Sequence, residues 1–325
     1  MNILLLLVGL GLILAGANYL TDGAAAIAQR FRVPEFVVGL TVVAVGTSTP
    51  ELVVSVLSAI AHNSGIAVGN VVGSNLFNVF VILGICALIR PLALSADNIR
   101  RDIPFGLGAS ILLFVFASDK LLHLGAADRI GRGDGIAMLL LYAALMGYTI
   151  RNAGRNAKTP ENAGHDTEAS ADTGARKSIW LTVAMIVGGL AGLVFGGELF
   201  LHHATVIARK LGVSESVIAI TLVAGGTSLP ELASSAVSIA KGKAGMALGN
   251  VLGSNATNIL LILGVSATIH PLDRGGITTL DLGMVVLSSL LLFIAAFTFR
   301  RRSIDRWEGA VFLTIYAAYI WYLIR

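Results

Sequence analysis

The sequence predicts an all-α integral membrane protein whose ten transmembrane helices form two inverted five-helix repeats, and three observations lead there. Of 325 residues, 55% are hydrophobic and 13% charged, far more apolar than a soluble domain. Apolar runs of about 18 residues or more recur along the whole length, which excludes a soluble enzyme carrying one anchor. The third observation is a polar island that occurs twice. Gly46-Thr47-Ser48-Thr49-Pro50-Glu51, followed by Gly69-Asn70-Val71-Val72-Gly73-Ser74-Asn75-Leu76-Phe77-Asn78, returns 180 residues later as Gly226-Thr227-Ser228-Leu229-Pro230-Glu231 and Gly249-Asn250-Val251-Leu252-Gly253-Ser254-Asn255-Ala256-Thr257-Asn258. Residues 39–58 share 11 identities with 219–238, and 65–84 share 12 with 245–264, so the chain is a duplication.

The first 20 residues could be read as a secretory leader, with Ala15-Gly16-Ala17 resembling a cleavage site. No Lys or Arg precedes the apolar run, and the segment has a counterpart in the second half: Gly16 aligns with Gly196, Ala28 with Ala208 and Arg30 with Lys210. It is therefore span 1. Spans 2 (34–61) and 3 (65–89) are joined by the short turn His62-Asn63-Ser64, which makes them antiparallel neighbours. Spans 4 (103–117) and 5 (135–150) follow charged residues that suit a membrane boundary. Asp134 and Glu308 open matching spans and are expected exposed at helix N-termini, where an acid complements the dipole.

From 152 to 177 the composition turns to Ala, Glu, Asp, Thr and Gly, too polar to bury a core, and reads as a flexible linker between a first repeat (1–151) and a second (178–325). Five further spans follow at 178–200, 214–240, 245–269, 279–299 and 307–324. An odd number of spans per repeat sends the second half in from the opposite side. Loops on the N-terminal side hold seven of the 23 Lys and Arg residues and the other side holds 16, so both termini face outward and the linker is cytoplasmic, as in a bacterial inner (plasma) membrane. Because the basic residues lie between spans, the formal charge of +4 need not imply nucleic acid; the expected partners are ions and membrane lipid, with no obligatory protein partner evident. Cys86 is alone in an apolar run, so neither an intramolecular disulfide nor a thiolate metal site is available.

A charge at the centre of a membrane helix costs about 2.5–3.5 kcal/mol even on the lenient insertion scale, so Glu51 and Glu231 call for a function. Small polar residues gluing helices together explain Ser and Gly but not Glu. On a helix, Thr47 and Ser48 share a face with Glu51. Pro50 has no N–H to give and frees the carbonyl four residues back, which predicts a broken helix. Carboxylate, hydroxyl and loosened carbonyl oxygens without His or Cys suit sodium or calcium better than zinc or copper. Asn70, Ser74 and Asn78, four apart, form a stripe that can face the break. With Thr227, Ser228, Glu231, Asn250, Ser254 and Asn258 repeating the arrangement in inverted orientation, two half-sites meet near the midplane.

Two Gly-Thr-Ser-x-Pro-Glu segments, each followed by Gly-Asn-x-x-Gly-Ser-Asn, resemble the paired alpha-repeats of the calcium/cation antiporter superfamily, whose best known members are sodium/calcium exchangers. The resemblance covers essentially the whole chain. It implies Glu51 and Glu231 as principal cation ligands, with oxygens from Thr47, Ser48, Ser74, Asn78, Thr227, Ser228 and Ser254 and the carbonyls of Ala44 and Ala224. It also implies sodium entry driving calcium extrusion by alternating access, with no cofactor beyond the transported ions. Asn258 stands where many members carry Asp, so it joins the set as a neutral oxygen and leaves two carboxylates instead of three. A proton-coupled calcium or other cation antiporter is the alternative this leaves open.

Other features have plainer readings. Glu35 and Glu215 begin spans and are interfacial, Glu198 is a boundary or gating residue, and His202-His203 offers only two metal ligands. Arg300-Arg301-Arg302 is a positive-inside anchor, with anionic lipid contact secondary. No span carries a nucleophile with a base or a His-Glu-x-x-His motif, which argues against an intramembrane enzyme. A passive cation channel would use the same oxygen chemistry, but inverted duplication with broken helices favours alternating access.

Overall fold

The computed structural model describes residues 1–121, 127–156, 178–212, 224–298 and 302–324. Helix α1 (Asn2–Phe31) runs well beyond the first 20 residues, because Ala24-Ala25-Ala26-Ile27-Ala28 continues in strong helix formers. It stops at Arg32, whose φ of 53° is left-handed, with the Val33 amide donating to the Ala28 carbonyl at 3.0 Å and Pro34 behind it. Helices α2 (Glu35–Thr47) and α3 (Thr49–Ile60) meet at a bend of 47°. Then come α4 (Ser64–Ile89), strand β1 (Leu92–Ala93), α5 (Ile103–Phe116), β2 (Arg129–Ile130) and α6 (Arg132–Asn156). The second half holds α7 (Ile179–Lys210), α8 (Ala224–Gly226), α9 (Leu229–Ala240), α10 (Ala244–Ile269), β3 (Leu272–Asp273), α11 (Thr279–Ala295), β4 (Ser303–Ile304) and α12 (Arg306–Ile324).

Among the described residues, α1, α4, α6, α7, α10 and α12 are long and apolar enough to cross a membrane, and α2 with α3 makes a seventh if the bent pair is one span. The protein is thus an integral membrane protein. Helix α5 has 14 residues and α11 has 17. Positions 214–223 of the expected 214–240 span, and 157–177 of the linker, lie outside the described residues.

The structure corrects several expectations. The all-helical architecture carries two short ladders that were not expected: β1 pairs antiparallel with β4 and β2 with β3, because the short extended connections after α4 and α10 each meet a segment of the other half. Helix α7 continues ten residues past the expected end at 200, through His202 and His203 to Lys210. Helix α6 likewise runs on to Asn156, across the change of composition at 152. Glu308 is buried, not exposed, since its carboxylate accepts from the Thr298 hydroxyl at 2.8 Å and the Asp305 amide at 3.0 Å.

Glycine sets how the halves interleave. Helices α1 and α7 cross antiparallel through Gly9, Gly16 and Gly23, seven residues apart; a Cβ at Gly16 would stand 2.7 Å from the Gly189 carbonyl oxygen, and one at Gly9 2.7 Å from the Phe200 nitrogen. Helix α4 packs on α12 at Gly84 and Gly309, and α10 packs on α6 at Gly264 and Gly135, so each half's motif helix leans on the last helix of the other. Helix α2 lies against α10, where Cβ atoms at Gly249 and Gly253 would collide with the carbonyls of Phe36 and Leu40. The apolar stretch of α10 is 78% buried and that of α12 only 17%, which places the motif helix innermost.

Gly16→Leu is expected to push α1 off α7 and lower stability by about 1–3 kcal/mol, as overpacking does. A fall in the thermal midpoint of the detergent-purified protein checks it, with Gly11→Leu, which has open space around it, as the control.

Candidate cation-binding site

Helix α2 ends at Thr47, and Ser48, with ψ near 9°, turns the chain before α3 begins with Pro50 in its first turn. A proline there lacks only an amide that the helix start would leave unpaired anyway. Pro230 occupies the same place in α9 after the turn at Thr227 and Ser228. Each break leaves a glutamate in the first turn of the following helix, and Glu51 and Glu231 are both about 1% exposed.

The sequence places Ser48 on the face of Glu51, but the turn removes that helical register. The Ser48 hydroxyl donates instead to Glu231 Oε1 at 3.0 Å, and the Ser228 hydroxyl donates to Glu51 Oε1 at 3.2 Å. Each half supplies the donor for the other half's carboxylate. Thr47 reaches across as well, with its hydroxyl 3.3 Å from Asn250 Oδ1. Thr227 is half-buried in its turn.

The stripe on α4 divides its work. Asn70 Nδ2 donates to the Glu51 carbonyl at 3.2 Å and to Ser55 Oγ at 3.0 Å, while Ser74 donates to Glu51 Oε1 at 3.5 Å. On α10, Asn250 Nδ2 donates to the Glu231 carbonyl at 3.4 Å and to Ser235 Oγ at 2.9 Å. Asn70 and Asn250 therefore clamp the backbone under each carboxylate. Asn78, second residue of a π segment over Phe77–Leu83, sends its Nδ2 across to Asn255 Oδ1 at 3.0 Å. Asn258 sits at the equivalent second position of the π segment Thr257–Ile262.

The carbonyl of Ala44 already accepts the Ser48 amide at 3.0 Å and the Thr47 hydroxyl at 3.4 Å; Ala224 opens α8 at the repeat-equivalent position. Asn255, Ser55 and Ser235 were outside the expected ligand set, although their identity at equivalent positions of the two repeats marks them in the sequence.

Five oxygens of the expected ligand set are buried without a hydrogen-bond partner: Glu51 Oε2, Glu231 Oε2, Asn78 Oδ1, Asn258 Oδ1 and Ser254 Oγ. Among the described residues no Lys, Arg or His forms an ion pair with either glutamate. Native interiors leave few polar atoms unpaired, and buried carboxylates need a counter-charge. Acceptors of this kind suit a hard cation.

The remaining flagged residues lie elsewhere. Glu35 pairs with Lys243 at 3.2 Å, and exposed Glu198 borders a shallow pocket with His202, whose ring centroid is 4.9 Å from that of His203. Glu215, Arg300 and Arg301 lie outside the described residues.

In a double-mutant cycle on the cation-free protein, Ser228→Ala and Glu51→Gln should couple by about 0.5–3 kcal/mol, the range for contacting residues. Ser48→Ala should couple to Glu231→Gln more strongly than to Glu51→Gln. Denaturation midpoints of the single and double variants decide between this crossed arrangement and a same-face one.

The family model described as sodium/calcium exchanger protein matches residues 1–151 and 181–325. The sodium/calcium exchanger MaX1 of Methanosarcina acetivorans is 34% identical over 345 residues, covering 98% of this chain and 97% of the relative. The inner membrane protein YrbG of Escherichia coli is 34% identical over 275 residues, 82% of this chain and 79% of its own length. Among solved structures, the sodium-calcium exchanger NCX_Mj soaked with sodium and calcium superposes with a TM-score of 0.81 at 32% identity, over 98% of this chain and 97% of that one. Matched through both halves and along nearly the full length of MaX1, the chain belongs to the sodium/calcium exchanger protein family.

Proposed function

We propose that this chain exchanges sodium for calcium across a membrane by alternating access. The observation that carries the proposal is the pair of buried carboxylates that have no cationic partner among the described residues, each with one oxygen unpartnered. Glu51 and Glu231 are the principal ligands. Thr47, Ser48, Ser74, Asn78, Thr227, Ser228, Ser254, Asn258 and the carbonyls of Ala44 and Ala224 supply further oxygens. Calcium and sodium compete for the same oxygens, so the site crosses the low-dielectric interior only when one or the other balances its charge. That exclusion couples the two fluxes.

The architecture proposed with it is ten spans in two inverted repeats, 1–151 and 178–325, joined by a cytoplasmic linker at 152–177, with both termini outside a bacterial inner membrane. The reciprocal contacts of α4 with α12 and α10 with α6, and of β1 with β4 and β2 with β3, support inversion. The name of YrbG supports the location. The second reading, proton-coupled exchange, rests on Asn258, which leaves the site one carboxylate short of the common family pattern.

Calcium-45 uptake into proteoliposomes with sodium, potassium or proton gradients imposed in turn should follow the sodium gradient; a flux that follows only the proton gradient selects the second reading. Glu51→Gln and Glu231→Gln should each reduce uptake to background. Asn258→Asp should tighten calcium binding by about tenfold or more, because about 1.4 kcal/mol suffices for that factor and an added anionic oxygen favours a divalent ion. Unchanged affinity in Asn258→Asp, together with full exchange in either glutamine variant, overturns the ligand set.

A further inference from the structure

A cavity of about 750 Å³ opens away from the carboxylates, between the connection preceding α5 and the end of α11. Ile99, Pro104, Phe293 and Phe297 make its apolar wall, and the exposed Arg100 and Arg302 give it charge. Phe297 is 57% exposed, so the wall opens outward. Among the described residues no carboxylate forms an ion pair with Arg100 or Arg302. The neighbouring Asp102 is taken, its Oδ1 2.7 Å from Arg101 Nε and its Oδ2 3.1 Å from Asn98 Nδ2.

Arg302 is fixed where it stands. Its φ of 63° is left-handed, a conformation disfavoured for a bulky residue. Two backbone bonds hold it there: its amide donates to the Ala296 carbonyl at 3.1 Å, and its carbonyl accepts the Leu94 amide at 2.8 Å beside the β1–β4 pair. The other strand pair solves the same problem internally. Arg274, which aligns with Leu94 across the repeat, has its Nη1 2.7 Å from Asp128 Oδ2. At the β1–β4 end no described carboxylate forms such an ion pair with Arg100 or Arg302.

We propose that this cavity binds one anionic phospholipid, its phosphodiester between Arg100 and Arg302 and an acyl chain along Phe293 and Phe297. Guanidinium groups match phosphate oxygens in bidentate geometry, and basic pockets between membrane helices recognise lipid headgroups. The apolar wall selects a lipid over a free phosphate, which would leave the phenylalanines uncovered. In the orientation proposed above this end faces the cytoplasm, so the lipid comes from the inner leaflet.

Native mass spectrometry of the full chain in detergent, titrated with dioleoyl phosphatidylglycerol or dioleoyl phosphatidylcholine, tests it. The expected result is one tightly retained phosphatidylglycerol, preferred at least about fivefold over phosphatidylcholine, a modest preference for one charged contact pair. The Arg100→Gln/Arg302→Gln double variant should lose the preference, while Arg30→Gln/Arg32→Gln, which changes net charge equally, keeps it. A wild type without preference, or a double variant that retains it, overturns the proposal. So does competition by millimolar inorganic phosphate, which would make the ligand a soluble anion. If the double variant fails to fold, Phe297→Trp gives a second reading. Its fluorescence should be quenched more by brominated-chain phosphatidylglycerol than by brominated-chain phosphatidylcholine, and equal quenching overturns the proposal.

Discussion

Two carboxylates buried in the middle of a membrane bundle, with no basic side chain paired to them among the described residues, are the constraint from which the rest of the structure follows. Each costs too much to be left alone, and the fold answers by giving each one hydroxyl from the opposite half while its second oxygen stays buried without a hydrogen-bond partner. Neither half can build this alone. Glu51 takes its donors from Ser228 and from Ser74 of its own half, Glu231 takes one from Ser48, and the breaks that free Ser48 and Ser228 lie one in each repeat.

The crossing requires backbones to come close, and glycine makes that possible. Gly249 and Gly253 let α2 lie in van der Waals contact with α10, which brings Thr47 within reach of Asn250. Gly84 with Gly309 and Gly135 with Gly264 do the same for the outer helices. Where lipid replaces water, apolar burial no longer drives helices together, so close packing and interhelical hydrogen bonds carry association. The most buried helix is accordingly the one that carries small and polar residues.

The two ends of the molecule are not equivalent, although the repeats are alike at the site. Lys241 pairs with Asp22 at 2.7 Å and Lys243 with Glu35 at 3.2 Å, tying the α9–α10 turn to α1 and α2. At the repeat-related positions stand Ala61 and Asn63, which carry no charge. One strand pair is likewise neutralised by Arg274 and Asp128, while the other presents Arg302. The repeats share the hydroxyls that donate to the buried carboxylates, Ser48 and Ser228, and differ at these charged positions.

Much of this was legible in the residues themselves. Composition places the chain in a membrane, the 180-residue period declares the duplication, and glutamate, hydroxyls and amides inside apolar runs point to the candidate site, because each is a local property with a large energetic cost. The break before Pro50 was equally readable, since proline is disfavoured inside a helix and fits at the start of one. Which hydroxyl meets which carboxylate was not. A repeat period says that two half-sites exist, but the partner of Ser48 depends on how α2 lies against α10 and on the turn that ends its helix. Asn78 reaches Asn255 for the same reason, from a π segment that leaves no trace in hydrophobic periodicity. The burial of Glu308 and the pairing of β1 with β4 also depend on segments brought from far along the chain. Spacing along one helix determines which groups are available; only the packing of one half against the other decides which of them touch.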